Sequence, residues 1–106
     1  MASSYSDIVY SGILSTTLTS LSTTPASATF VCKGFWVSNS DSEGRKAEIQ
    51  FDGKRYMPYL NDIPAGDVMN ASPLDIPLLT TVNIKGRAEV ATLMDYYIYG
   101  IEEVTT

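Results

Sequence analysis

The chain contains no histidine, so its chemistry would have to come from 12 carboxylates, seven lysines and arginines, one thiol and a large set of hydroxyls. A Ser-His-Asp or Cys-His arrangement is therefore impossible. Cys32 lies between apolar neighbours in TFVCKGFWV and has no imidazole to activate it, so it reads as a small buried side chain rather than a nucleophile. As a lone cysteine it forms no intrachain disulfide, and a reducing compartment suits it. Paired carboxylates can hydrolyse glycosides. Of Asp62, Asp67, Asp75, Asp95, Glu102 and Glu103, however, all but Asp95 fall in turn-like stretches or beside the C-terminus, where solvated surface charge is the ordinary reading. Asp95 interrupts an apolar segment and marks a bulge, an edge or a subunit contact.

Two further patterns have the right residue types for cation or sugar chemistry. Asn39, Asp41 and Glu43 alternate before Gly44, like the first half of an EF-hand loop, but Gln50 stands where the bidentate Glu belongs and no helices flank the segment. A polar turn fits better. Asn70-Ala71-Ser72 matches a glycosylation sequon, but Met1 to Ser6 has neither the basic nor the apolar region of a signal peptide, so the match is incidental. There is no Gly-rich phosphate loop and no Cys/His metal spacing. No catalytic residue, cofactor site or metal ligand is assigned.

Composition bounds the partners. The 106 residues suit one domain with a single core, and 44% hydrophobic with 18% charged residues is ordinary for a globular chain. A net charge of −5 argues against nucleic acid, whose phosphates demand clustered Lys and Arg. Arg45, Lys46, Lys54 and Arg55 form a loose cluster, which reads as the solvated flank of a hairpin. No apolar run approaches the ~20 residues of a membrane-spanning helix.

The elements that would position these residues read as strands. Leu14 to Pro25, LSTTLTSLSTTP, is rich in hydroxyls, yet its leucines and β-branched threonines suit a pleated surface better than a flexible linker. A strand is expected from about Ile13 to Ser22. ATFVCKGFWVSN follows as a strand, with Phe30, Cys32 and Trp36 on one side and Val31, Phe35 and Val37 on the other. KAEIQFDGKRYMPYL reads as a hairpin about Asp52-Gly53, a pair suited to a type I′ turn, and Pro58 should end its return strand. DIPAGD is a turn, a short strand covers Val82 to Lys85, and AEVATLMDYYIYGIEEV closes the chain as a long strand with two apolar faces.

Short strands with regular turn signals predict an all-β fold, an antiparallel β-sandwich of jelly-roll or Ig-like type. The expected organisation is an N-terminal arm over 1–11 and a single sandwich domain over 12–106. Ile8, Val9 and Tyr10 in the arm, with Tyr97 and Tyr99 in the closing strand, are the candidate subunit or lattice contacts. An apolar arm suits exchange with a neighbour or packing on its own domain, and tyrosines bury area at low side-chain entropy.

FVCKGFWVSNSDSEGRKAEIQFDGKRY, DIPAGD, PLLTTVNIKGRAE and DYYIYGIEEV together resemble the small all-β virion structural proteins of tailed bacteriophages, over about residues 12 to 104. Leu79-Thr80-Thr81 departs from the Gly-Asp turn often seen in that family. The resemblance implies a non-enzymatic capsid decoration (cement) protein without cofactors. Such a protein is made in the host cytoplasm and carried on the capsid exterior. It self-associates, commonly as a trimer, and docks on the major capsid protein or another virion protein to stabilise the head lattice. A neck, tail or baseplate component is the alternative within that family. Outside it stands a carbohydrate or cell-surface binding module using Trp36, Tyr56, Tyr59 or the Tyr96 to Tyr99 cluster, which would require coplanar rings open to solvent.

Overall fold

The computed structural model describes residues 3–24, 27–57, 62–79 and 82–105. Pro25, Pro58, Tyr59, Thr80 and Thr81, which the sequence singles out, lie outside the described residues. Among the described residues there is no helix, and hence none long and apolar enough to cross a membrane. The strands are β1 (Ser3–Ile13), β2 (Thr19–Ser20), β3 (Ala28–Asn39), β4 (Arg45–Phe51), β5 (Lys54–Met57), β6 (Asp62–Ile63), β7 (Val68–Ala71), β8 (Ile76–Leu78), β9 (Ile84–Ala88) and β10 (Met94–Thr105).

Every pairing is antiparallel, and the strands form two sheets. The first sheet runs β1-β10-β3-β7, with β8 also on β3, and the second runs β2-β9-β4-β5, with β6 also on β4. β7 and β8 occupy successive stretches of one edge of β3, and β5 and β6 do the same on β4. Counted as split edge strands, they leave eight strands. In chain order the first sheet then holds the first, last, third and sixth, and the second holds the second, seventh, fourth and fifth. That interleaving is a jelly roll, which decides between the two sandwich types expected.

Leu14, Phe30, Phe35, Val37, Ile49, Ile84, Met94 and Ile98 fill the space between the sheets and are fully buried. Alternation supplies them, because in a strand every second side chain faces the same way. The hairpin about Asp52-Gly53 forms as expected, with positive φ at both residues (52° and 73°) as a type I′ turn requires.

Three expected boundaries need correction. Residues 3–11 are not ahead of the first strand: they lie inside β1, in unbroken register with β10 from Ser3↔Thr105 to Ile13↔Asp95. The strand expected from Ile13 to Ser22 is mostly loop: Ile13 ends β1, and beyond it only Thr19 and Ser20 are laddered, on β9. There the hydroxyls bond the backbone in place of a ladder. Ser15 Oγ donates to Thr17 O (2.7 Å), the buried Ser22 Oγ accepts from Ile84 N (2.8 Å), and the buried Thr24 Oγ1 donates to Val82 O (3.1 Å). The segment is folded but stitched rather than pleated. Finally, β9 starts at Ile84 and the closing strand only at Met94, because residues 89–93 bend between them.

Candidate functional site

The register across the first sheet decides which side chains share its outer face. On β1 the odd residues point outward, leaving Tyr5 68%, Val9 48% and Ile13 57% exposed, while Ile8 and Tyr10 pack against the core. Val9 is opposite Tyr99, Ser11 opposite Tyr97, and Asp7 opposite Ile101. On the other side of β10, Tyr97 is opposite Trp36, Tyr99 opposite Gly34, and Ile101 opposite Val31. The outcome is a broad aromatic and aliphatic surface on the side of the sheet away from the core.

Two rings dominate it. Trp36 and Tyr97 stand as cross-strand neighbours, centroids 5.4 Å apart and planes 2° apart, and Tyr99 follows Tyr97 at 6.1 Å and 48°. Tyr99 has room because Gly34 lies beneath it: any Cβ there would collide with the Tyr99 hydroxyl and with Ser72. Ser11, Gly12, Ile13 and Asp95 border a shallow recess of ≈ 380 Å³ beside the Trp36–Tyr97 stack.

The candidate contacts are thus divided by the strand period. Val9, Tyr97 and Tyr99 come together on the outer face, whereas Ile8 and Tyr10 lie on the inner one. Tyr10 is held there by an edge-on contact with Phe30 (5.4 Å, 82°) and by donating to Thr23 O (2.8 Å). Burial first, then the Glu102 charge, pushes its phenol above the usual 10.0. Trp36 was expected to share a face with Phe30 and Cys32. It lies opposite them because β3 is bulged at Lys33: Tyr99 pairs with Gly34 but Gly100 pairs with Cys32. One extra residue reverses the phase of the strand.

A sugar-stacking platform would need coplanar rings side by side in solvent. Trp36 and Tyr97 instead cover one another's faces. Tyr96 belongs to the core side of β10, and Tyr56 is turned edge-on against Phe35 (5.6 Å, 78°) and Phe51 (5.5 Å, 84°).

Several of the groups that could do chemistry are engaged in structural contacts. Cys32 is buried, and burial pushes its thiol up to about 11. Asn39, in the calcium-like stretch, is buried and uses its Nδ2 to donate to Glu43 O and Ile63 O (both 2.9 Å), while its Oδ1 accepts from Asp41 N (3.0 Å). Arg45 clamps the same turn through Asp41 (2.6 Å) and Glu43 (2.8 Å). Hydrogen bonding from Arg45 holds the Asp41 carboxyl below its usual range, against the opposing effect of burial. Lys33 pairs with Asp75, and Lys46 lies 3.9 Å from Asp62. Among the described residues no group of three or more His, Cys, Asp or Glu side chains is arranged to hold a metal ion.

Glu48 is the polar residue that the sequence did not single out. It sits on the outer face of the second sheet, on β4, yet is 1% exposed. Arg87 Nε (2.7 Å), Arg55 Nε (2.8 Å) and Gln50 Nε2 (2.8 Å) all donate to its carboxylate. Burial alone would raise its pKa; the three donors outweigh that and hold it below the ordinary value. KAEIQF contains Gln50 but neither guanidinium, since Arg55 and Arg87 come from β5 and β9, so the segment alone does not announce this site.

No protein-family model matches the chain, and no curated protein matches it. Among solved structures the chain is similar to one in the cyanophage Pam1 capsid asymmetric unit, at a TM-score of 0.44 and 10% identity, over 98% of this chain and 84% of that one. A likeness that loose carries no argument about function.

Proposed function

We propose that this chain is a non-enzymatic virion structural protein of a tailed phage, a capsid decoration (cement) protein that works by surface contact with neighbouring protein. The observation that carries the reading is the aromatic outer face of the first sheet. Trp36, Tyr97, Tyr99, Val9 and Ile101 are gathered by register on a surface where Val9 is exposed and the other four stay half-buried against one another, each still partly open to solvent. Protein interfaces favour this composition, with Tyr and Trp as anchors. The resemblance of the sequence to tailed-phage virion proteins supplies the kind of partner. Jelly rolls also occur in viral capsid and lectin domains, an analogy that favours neither on its own. Repeated weak contacts to a lattice add through effective concentration, so no single strong site is required. The mutual stacking of Trp36 and Tyr97 disfavours the carbohydrate alternative.

Co-sedimentation with empty capsids of a tailed phage tests this reading. The wild-type chain should pellet with the shells. Tyr97→Asp, which places a charge in the centre of the face, should weaken binding by ~30-fold, as loss of an interface anchor does. Binding to a glycan array without any binding to shells would replace this reading with the carbohydrate one.

A further inference from the structure

Sheet edges expose unpaired N–H and C=O groups, and folded proteins usually blunt them. Most edges of this jelly roll are blunted. β2 and β6 have two residues each. β5 has four, carries Lys54 and Arg55, and is out of register with β4 between Ile49 and Gln50. The β7/β8 edge is short, broken between its halves by Ser72-Pro73, and carries Pro77. β1 has none of these devices. It is 11 residues long, pairs with β10 without a register shift, and contains no proline, no lysine and a single charge, Asp7.

The direction of its free groups follows from one bond. Leu14 N donates to Met94 O (2.8 Å), and residues two apart along an antiparallel ladder repeat the same pattern. The even residues of β1 therefore bond β10, and the N–H and C=O of Tyr5, Asp7, Val9, Ser11 and Ile13 point away from it. Among the described residues β1 pairs with no strand but β10, and no turn or loop hydrogen bond reaches those groups.

We infer that this edge is a self-pairing site, whose occupant is β1 of a second copy of the chain, antiparallel, about a two-fold axis at Val9. The sequence of the strand is self-complementary in that register. Val9 faces Val9, Tyr5 faces Ile13, and Asp7 faces Ser11, so the three exposed apolar side chains meet apolar ones and the one charge meets a hydroxyl. The five outward residues of each copy would form ~10 backbone hydrogen bonds. The two Asp7 carboxylates would lie four residues apart, ~14 Å, beyond the ~8–10 Å screening length. A two-fold axis at Asp7 would instead set them face to face, which is unfavourable. Pairing at Val9 joins the first sheets of both copies into one and makes their aromatic outer faces continuous. This symmetry gives a dimer rather than the trimer that the family resemblance implies, and the inference stands on the sheet edge without the virion reading.

Sedimentation velocity of the full chain over a roughly hundredfold concentration range tests it. The expected result is a monomer–dimer equilibrium. Val9→Pro deletes an outward N–H that β10 does not use, and should raise the dimer dissociation constant at least ~10-fold with circular dichroism unchanged. Val9→Lys, a milder change at an exposed side chain, should also weaken the dimer by placing two lysines on the axis. Ser11→Lys, facing Asp7, should tighten the dimer, and Ser11→Asp should weaken it. A monomer at all concentrations would overturn the inference, whatever else binds the edge. So would a trimer, or a dimer indifferent to both Val9 substitutions.

Discussion

Glu48 and Tyr97 stand on the outer faces of the two sheets and differ in what covers them. Tyr97 is covered by its own neighbour Trp36 and otherwise faces outward, whereas Glu48 is roofed by Arg55, Arg87 and Gln50. A carboxylate held below its ordinary pKa of 4.5 contributes stability that is complete above that value and is lost as pH falls through the lower folded value. Glu48→Gln should therefore cost about 1–2 kcal/mol at neutral pH. Hydrogen bonds to a charged group set that figure, discounted because Arg55 is largely exposed. The gap between variant and wild type should close on acidification below 4.5, as measured by urea unfolding at neutral and at acid pH. A gap independent of pH would mean that the carboxylate contributes through its shape alone. Chemistry at the residue scale was legible in part: the missing histidine and the apolar setting of Cys32 were plain in the sequence. The burial of Glu48 was not, because long-range pairing creates it.

Among the elements, β3 and β10 carry both the core and the outer aromatic face, and their one irregularity sets the phase of both. Sequence alternation placed Phe30 and Cys32 together correctly. It then carried that phase past Lys33 and put Trp36 with them, although the bulge sends Phe35 and Val37 inward instead. A period-two pattern contains no mark of an inserted residue except the glycine beside it. Gly100 pairs with Cys32 at this irregularity, and a Cβ there would run into the Val31 carbonyl oxygen and the Phe30 ring. Backbone cannot yield cheaply, so Gly100→Ala should destabilise the fold by about 2–3 kcal/mol, within the range for overpacked interiors. Chemical denaturation should show the shift in midpoint, and an unshifted midpoint would contradict the bulge geometry. Hairpin chemistry was easier to read: Asp52-Gly53 needs only two adjacent residues to declare a type I′ turn, whereas the Ser/Thr run after Ile13 concealed a loop, since hydroxyls suit a strand and a stitched turn equally.

At the scale of the whole molecule, the ten strands among the described residues close into two layers, and that layering leaves one face partly open and the β1 edge without a partner strand. An all-β sandwich was legible because alternation and turn residues repeat along the entire chain. The jelly-roll topology was not, since it depends on which strands pair at long range. The proposed function depends on outward surface rather than on any enclosed site, and β1 is where that surface ends. Residue-resolved amide hydrogen exchange on a dilute sample tests this arrangement most directly. The amides of Ser6, Ile8, Tyr10 and Gly12, bonded to β10, should be protected, while those of Tyr5, Asp7, Val9, Ser11 and Ile13 should exchange fast and become protected only as concentration rises. Uniformly fast exchange along 3–13, or odd-residue amides that stay unprotected at every concentration, would contradict the account.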